Sequence, residues 1–257
     1  MSKGFKSGLA ALAMCAFAVP ALAGDGSLKD DARADPGRKL EFTASALVTS
    51  DYVFRGVSQS DNDPAVQAGF DATWGILYAG LWGTSVDDDF VGGSDAEIDF
   101  YAGIKPTLGP ATFDFGVLYY WYTGSTSAGA GDPDVIELKA GVSGEILPKL
   151  SAAQTFYWSP EAAYDAGEYW VSETSLAYAL PKVFVFDPSI GGTIGYVDNL
   201  DNDDADYTYW NAGITLGYDK FSFDFRYWDT DVDTIHFVSG NNLSDERFVF
   251  TAKVVLP

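Results

Sequence analysis

Histidine and cysteine, the side chains most often used in nucleophilic catalysis and soft-metal binding, are nearly absent from this chain. Its 257 residues include one His, His236, and one Cys, Cys15. A catalytic triad needs a His beside a nucleophile in a shaped site, and a zinc centre needs several His or Cys ligands. His236 falls in the middle of the longest predicted loop, and no glycine-rich phosphate loop is present. We therefore predict no catalytic residue, no cofactor and no enzymatic activity.

Carboxylates are the abundant chemical group. The chain has 37 Asp and Glu against 15 Lys and Arg, a net charge of −22, which argues against binding to nucleic acid. Two aspartate runs are weak candidates for Ca²⁺ or Mg²⁺ sites, and they comprise Asp87, Asp88, Asp89, Asp201, Asp203 and Asp204. Neither run has the spacing of an EF-hand loop. The alternative is a solvated acidic surface, so we predict no specific metal site.

The N-terminal segment has the three parts of a secretory signal peptide. Lys3 and Lys6 form the basic start, residues 9–19 the apolar core and Ala21-Leu22-Ala23 the small-residue cleavage site. We predict a signal peptide over residues 1–23, cleaved near Ala23. Residues 24–39 are polar and lack periodicity, which predicts a flexible periplasmic leader.

From Leu40 onward, side chains alternate with a period of two, which predicts strands with two unlike faces. In one such segment Phe113, Phe115, Val117, Tyr119 and Trp121 share a face opposite Asp114, Gly116 and Leu118. We predict about twelve strands, near 41–57, 65–74, 77–85, 96–105, 111–122, 135–146, 150–158, 169–180, 189–198, 207–218, 221–228 and 246–256.

Short and long connections alternate between these strands. Short ones fall near Gly75, Pro106–Pro110, Leu147–Lys149, Pro181–Pro188 and Asp219–Lys220. Long ones fall at 58–64, 86–95, 123–134, 159–168, 199–206 and 230–244, and together they hold 17 acidic residues and no Lys or Arg. One end of the molecule should therefore carry all the long loops and be acidic.

Strands of about ten residues, with short turns at one end and long loops at the other, are typical of outer-membrane barrels. A soluble sandwich or lipocalin-like barrel also alternates, but its outer face should be dense in charge. Here the face opposite the aromatics holds mainly Gly, Ser, Thr and Ala. Aromatic residues near predicted strand ends suggest interfacial girdles, and they are Trp74, Trp82, Tyr119 to Tyr122, Trp158, Trp170, Trp210 and Trp228. We predict an all-β fold, a transmembrane antiparallel up-and-down β-barrel of about 12 strands over residues 40–257.

The residues at the start of the predicted barrel resemble those of a known family. Ser50-Asp51-Tyr52-Val53-Phe54-Arg55-Gly56-Val57-Ser58-Gln59-Ser60, followed by Asp63-Pro64-Ala65-Val66-Gln67, is similar to the opening of the TorF-type porin family. The shorter segments Tyr78-Ala79-Gly80-Leu81-Trp82 and Tyr119-Tyr120-Trp121-Tyr122 also resemble that family's pattern. The resemblance implies an outer-membrane barrel of a Gram-negative bacterium, without catalytic residues. Barrels of this kind usually end on an aromatic residue that the assembly machinery recognises, whereas this chain ends Leu256-Pro257.

Charged residues on the lumen face are the candidate functional groups. If the first long loop closes a hairpin centred on Asp61, the register places Asp51 opposite Asp71 and Arg55 opposite Gln67. Arg55 would then bridge two carboxylates, either as a solute-selecting constriction or as a structural ion-pair cluster. The candidates for the lumen lining are Asp51, Arg55, Asp71, Asp99, Asp114, Asp224 and Arg226. The same face carries Glu137, Lys105, Lys139, Arg247 and Lys253.

These features predict a passive outer-membrane channel for small polar solutes that prefers cations, because its acidic mouth should repel anions. The expected partners are outer-membrane lipid and lipopolysaccharide, small solutes, and the barrel-assembly machinery during insertion. One alternative is a non-conducting barrel whose acidic loops bind a partner or divalent cations. Another is a soluble periplasmic binding barrel. The natural solute, the oligomeric state and the openness of the lumen do not follow from the sequence.

Overall fold

The computed structural model describes residues 39–88, 93–125, 133–202, 205–232, 235 and 240–257. The predicted signal peptide and residues 24–38 of the predicted leader lie outside this part of the chain, and both stay predictions. Within the described ranges, no helix combines the length and apolarity needed to span a membrane.

The described chain is built almost entirely from strands. They are β1 (Leu40–Thr49), β2 (Val53–Phe54), β3 (Val57–Ser58), β4 (Ala65–Trp74), β5 (Leu77–Ser85), β6 (Ala96–Ile104), β7 (Thr107–Leu108), β8 (Ala111–Thr123), β9 (Val135–Leu147), β10 (Leu150–Ser159), β11 (Tyr169–Ala179), β12 (Asp187–Asn199), β13 (Tyr207–Tyr218), β14 (Phe221–Thr230) and β15 (Arg247–Leu256). One short 3₁₀ helix, Ala163–Asp165, lies between β10 and β11.

Twelve of these strands form a closed antiparallel barrel. Each pairs with the next along the chain, β6 pairs with β8, and β1 pairs with β15 to complete the ring. The two-residue strand β7 extends the wall beside β8, while β2 and β3 pair only with each other. The predicted barrel of about 12 strands is therefore confirmed.

The aromatic face of the wall points outward. On β8, Phe115, Tyr119 and Trp121 are 40–47% exposed, whereas Leu118 and Tyr120 are at most 1% exposed. An interior packed with the aromatic face, as the soluble alternative requires, does not occur. Large apolar side chains from every long strand instead lie on the outer surface, as expected of a wall that contacts lipid.

The girdle prediction is only partly correct. Trp74 and Trp170 are exposed on the outside of the wall. Trp82 and Trp228 instead pack against the internal cluster, and Tyr120 and Tyr122 are fully buried. Their positions in the two-residue repeat send these side chains inward, although they lie close to the strand ends.

Long and short connections alternate around the barrel, as predicted, but the first long one is longer than expected. Strand β1 ends at Thr49 rather than near residue 57, and β4 begins at Ala65. The intervening residues, called here the inner loop (residues 50–64), fold into the barrel. Residues 51–60 are all buried, and β2 and β3 form a small hairpin within the inner loop.

The inner loop fills the end of the lumen that carries the long loops. Its Tyr52, Phe54 and Val57 belong to one apolar cluster with side chains from the wall and from other long loops. The wall contributes Leu118, Tyr120, Tyr122, Val135, Tyr169, Val171, Val197, Tyr207 and Tyr209, and the loops contribute Ala162, Ala163 and Leu243. The barrel therefore has a packed core at this end.

Candidate functional site

Asp51 holds the base of the inner loop in place. Its Oδ1 accepts hydrogen bonds from the hydroxyls of Ser58 (2.6 Å) and Ser60 (3.0 Å). Its Oδ2 accepts one from Arg247 Nη1 of β15 at 2.8 Å. A buried carboxylate needs such partners because an unpaired charge loses its hydration. Asp51 is therefore an anchor between the inner loop and the wall.

Arg55, at the tip of the inner loop, forms a buried ion pair with Glu137 of β9. Its Nη1 and Nη2 lie 2.8 Å and 3.1 Å from the two carboxylate oxygens of Glu137. Tyr120 and Tyr169 also donate their hydroxyls to Glu137, at 2.7 Å and 2.8 Å. Burial, the largest single effect, would lower the pKa of Arg55, but Glu137 together with the neighbouring tyrosines outweighs it and holds that pKa above its ordinary value. The guanidinium therefore stays charged.

The backbone at the tip can approach the wall closely because residue 56 is glycine. Arg55 has a φ of 44° and Gly56 a φ of 87°, both in the left-handed region. A Cβ at Gly56 would lie 2.8 Å from Thr230 Cβ and 2.9 Å from Tyr209 Cβ. The sequence Arg55-Gly56 thus makes a tight turn pressed against β13 and β14.

The register expected from the sequence is wrong. Gln67 pairs with Leu47 and Thr84, and Asp71 pairs with Thr43 and Gly80. Asp51 therefore does not face Asp71, and Arg55 does not bridge them. The physical reason is that residues 50–64 leave the wall, so Asp51 and Arg55 occupy no position in the ladder between β1 and β4.

A cavity of about 230 Å³ lies inside the lumen, between the inner loop and the short-turn end of the barrel. Arg55, Phe54 and Tyr209 line it toward the long-loop end, and Ser151, Ser189 and Ser222 line it toward the short-turn end. Most of its wall comes from β10 to β15 together with β1. The rest of the lining mixes apolar residues, such as Leu47, Ile190 and Val249, with hydroxyl and amide side chains, which are Thr49, Gln67, Ser175, Thr193, Asn211, Thr215 and Thr251.

Asp224 and Arg226 line this cavity as a pair. Arg226 Nε and Nη2 each lie 2.9 Å from an Asp224 carboxylate oxygen. Arg226 Nη1 also donates to Asn211 Oδ1 at 2.7 Å, and Thr215 Oγ1 donates to Asp224 at 2.6 Å. Both side chains are about one-fifth exposed, so the pair presents a neutral, hydrogen-bonding surface to the lumen.

The opposite wall, from β4 to β9, carries the other candidate charges. Asp114 accepts hydrogen bonds from Tyr78 (2.7 Å) and forms ion pairs with Lys139 (2.8 Å) and Lys105 (3.6 Å). Asp99 of β6 is fully buried on the inward face. Asp114 and its two lysines therefore form a cluster of locally compensated charges on this side of the lumen.

Two inward carboxylates each accept a hydrogen bond from a tyrosine two strands away, and in both cases a glycine lies on the strand between the partners. Tyr101 and Asp71 both stand opposite Gly80, and Tyr209 and Glu173 both stand opposite Gly195. Tyr101 donates its hydroxyl to Asp71 at 2.5 Å, and Tyr209 donates to Glu173. A Cβ on either glycine would overlap the tyrosine ring. The glycines therefore let each ring lie flat on the wall and bridge to a carboxylate two strands away.

The structure thus places all seven candidate residues inside the barrel but groups them differently than expected. It brings together Asp224 and Arg226, while Asp51, Arg55, Asp71 and Asp114 each have other partners. The role of Glu173 and Tyr209 was missed. Period-two alternation from Tyr169 and Tyr207 would have placed both on the inward face, but only the strand register brings them into contact.

No cluster of three or more potential metal ligands occurs in the described part of the chain. Asp201 Oδ2 accepts a hydrogen bond from the Glu168 backbone at 2.9 Å, so this side chain ties two long loops together. Asp89, Asp203, Asp204 and His236 lie outside the described residues. The weak metal candidates among them, Asp89, Asp203 and Asp204, stay predictions.

Solved structures with the same fold include outer-membrane porins. The chain resembles the KdgM porin with 8% identity and a TM-score of 0.54, over 82% of this chain and 98% of that chain. It resembles the KdgM porin in complex with disordered oligogalacturonate to the same degree, over 84% of this chain and 99% of that chain. At such low identity this likeness establishes the fold alone.

No curated protein matches the chain in sequence. Residues 33–255 match a family described as a bacterial protein of unknown function, Gcw_chp. The narrower resemblance to TorF-type porins stays a prediction. Because the match spans nearly the whole barrel, the chain belongs to the Gcw_chp family.

Proposed function

We propose that this protein is an outer-membrane channel through which small polar solutes diffuse passively. The observation that carries the proposal is a cavity lined in part by hydroxyl, amide and charged side chains, inside a closed barrel whose outer surface is apolar. An apolar band around closed strands suits a lipid bilayer, since pairing all the way around the ring leaves the wall without a free sheet edge. A lumen lined by hydroxyls, amides and ion pairs suits hydrated solutes.

The inner loop determines how wide the path is. In the structure it packs with the tyrosine-rich cluster and fills the long-loop end of the lumen. The cavity reaches from this plug toward the short turns. Passage of a solute therefore requires the inner loop to shift or leave, and the contacts of Arg55 and Asp51 set the free energy of that step.

The acidic loops make the long-loop mouth cation-preferring. Those loops hold 17 carboxylates and no Lys or Arg, so the mouth concentrates cations and repels anions. The effect weakens with salt, because the Debye length falls from about 10 Å at 0.1 M to about 3 Å at 1 M.

The same proposal assigns the protein to the outer membrane of a Gram-negative bacterium. The apolar outer wall, the predicted signal peptide over residues 1–23 and the porin-like fold support this location. Lipid and lipopolysaccharide would then surround the wall, and the barrel-assembly machinery would insert it. The KdgM porin has been solved with oligogalacturonate, which illustrates a solute in a barrel of this fold.

Single-channel recording in a planar bilayer tests the proposal. We expect small discrete conductance steps, with a reversal potential under a KCl gradient that favours K⁺ at low salt and shrinks at high salt. Replacing Asp87 and Asp88 by Asn should reduce the cation preference without abolishing the steps. A folded, inserted barrel that stays silent, even when the contacts of the inner loop are broken, contradicts the channel.

The packed long-loop end favours one second candidate, a non-conducting barrel whose acidic loops bind a partner or divalent cations. Deletion of the long loops would then abolish binding, whereas substitutions in the lumen would have no effect. The two candidates differ in their response to inner-loop variants, which change conductance only in a channel.

A further inference from the structure

Two charged side chains in the lumen cavity form no ion pair with the described residues. They are Glu173 of β11 and Lys253 of β15, and both line the cavity. The other charged lining residues are paired: Asp51 with Arg247 at 2.8 Å, Arg55 with Glu137 at 2.8 Å, and Asp224 with Arg226 at 2.9 Å. Glu173 accepts a hydrogen bond from the neutral Tyr209 hydroxyl. Glu173 and Lys253 therefore carry one negative and one positive charge without an ion pair to any described residue, and the Asp71 carboxylate, which does not line the cavity, attracts Lys253.

These two charges lie on different walls. Three strands, β12, β13 and β14, separate β11 from β15 in the ring, which is about a third of the circumference of a twelve-strand barrel. Both side chains point inward. Glu173 and Tyr209 both pair with Gly195, and Lys253 pairs with Ser222; Tyr209 and Ser222 also line the cavity. An electric field therefore runs across the cavity from Lys253 toward Glu173.

Charges of this kind are costly in a narrow lumen. Each one loses hydration, which is unfavourable unless a partner replaces the lost water. Ionisable groups at membrane depth that lack a partner accordingly mark solute or ion paths. A monovalent ion would compensate one of the two charges and be repelled by the other, whereas a solute with both charges compensates both.

The volume fits a small solute. At about 30 Å³ for each water molecule, the cavity of about 230 Å³ has room for roughly seven or eight waters. A short amino acid fits within this space together with a few water molecules. Hydroxyl side chains around the cavity, such as Ser175, Thr193 and Ser222, can hydrogen-bond either end of such a molecule.

We propose that this cavity is a binding site for small zwitterionic solutes, whose carboxylate lies toward Lys253 and whose ammonium group lies toward Glu173. The proposal rests on the proposed function, because it names the solute class that the channel admits. It assigns the selectivity of the lumen to Glu173 and Lys253, two opposite charges that form no ion pair with the described residues. Asp224 and Arg226 do not contribute, because they neutralise each other.

Four solutes with the same four-carbon skeleton test this site: 4-aminobutyrate, butyrate, butylammonium and butyramide. Their binding to the purified, folded barrel is measured by saturation-transfer NMR and titration calorimetry. We expect 4-aminobutyrate to bind at least tenfold more tightly than the other three. Glu173→Gln and Lys253→Met should each remove that advantage, while Lys182→Met, which changes an exposed lysine at a turn, should not.

A double exchange provides a sharper test. Glu173→Lys combined with Lys253→Glu reverses the field but keeps both charges, so the preference for 4-aminobutyrate should return. Equal binding of the four solutes by the unsubstituted protein overturns the proposal without the need for any variant. Swelling of proteoliposomes in butyramide separately reports the channel. If butyramide permeates but 4-aminobutyrate has no advantage, the site is wrong and the channel stands; if nothing permeates even with the inner loop released, the channel fails.

Discussion

Replacing Arg55 by Met should release the inner loop from the lumen. The substitution keeps an unbranched, flexible side chain, shorter than that of arginine, and removes both contacts to Glu137, at 2.8 Å and 3.1 Å. Glu137 then remains fully buried with only the hydroxyls of Tyr120 and Tyr169 as donors. The wall strands keep their hydrogen bonds, so the barrel itself should still fold.

The magnitude follows from the burial of the pair. Breaking a buried ion pair by removing one partner costs about 3–5 kcal/mol. A factor of ten in an equilibrium constant corresponds to about 1.4 kcal/mol, so the ratio of displaced to inserted inner loop should rise by about a hundredfold to a few thousandfold. The cost disappears once the loop leaves, because water and ions can then reach Glu137.

Cysteine labelling measures this ratio. The chain has a single Cys, Cys15, in the predicted signal peptide, so Val57→Cys gives a single reporter. Val57 is 4% exposed and does not line the cavity. A bulky maleimide should react with this thiol at least a hundredfold faster when Arg55→Met is present, and the single-channel conductance should rise in parallel.

Lys182→Met is the matched control, since it breaks an exposed ion pair with Asp187 on a short turn, where such pairs contribute little. It should leave the labelling rate unchanged. If Arg55→Met folds, as judged by the mobility shift of heated and unheated barrels, and Val57→Cys still reacts slowly, the ion pair does not hold the inner loop and the reasoning is refuted.

Three other substitutions probe the anchor, the wall and the outer surface. Asp51→Asn should weaken the tie to Arg247 and also speed the labelling of Val57→Cys, though by less than Arg55→Met does, because the hydrogen bonds from Ser58 and Ser60 can persist; unchanged labelling would contradict its role as an anchor. Gly195→Val should push aside the Tyr209 ring and destabilise the barrel by about 1–3 kcal/mol in urea unfolding. Gly83→Val should lack this effect, because the nearest atom to a Cβ there is the Glu97 carbonyl oxygen at 3.6 Å. Leu176→Arg places a charge on the outer surface, where Leu176 is 50% exposed, and should cost about 2–4 kcal/mol in lipid vesicles; a negligible loss would argue against a lipid-facing wall.

Period-two alternation determined most of the fold. It located the twelve wall strands and predicted that the aromatic face points outward. The apolar face of such a strand is stable against lipid, and the face of small polar residues is stable against a filled lumen. The alternation of short and long connections placed the acidic loops at one end. The same repeat put Asp114, Asp224 and Arg226 on the inward face, where the structure has them.

The inner loop could not be predicted in this way. Residues 51–57 alternate like the wall strand that precedes them, so a local pattern cannot tell a continued strand from a chain that turns into the lumen. The choice depends on partners far along the chain: Glu137 is 82 residues from Arg55, and Arg247 is 196 residues from Asp51. Only the closed barrel brings these groups together, and their burial then makes each missing partner costly. For the same reason, only the tertiary structure shows that Glu173 and Lys253 form no ion pair within the described part of the chain. The sequence gives the charge of each residue, whereas the fold determines which groups lie close enough to neutralise it.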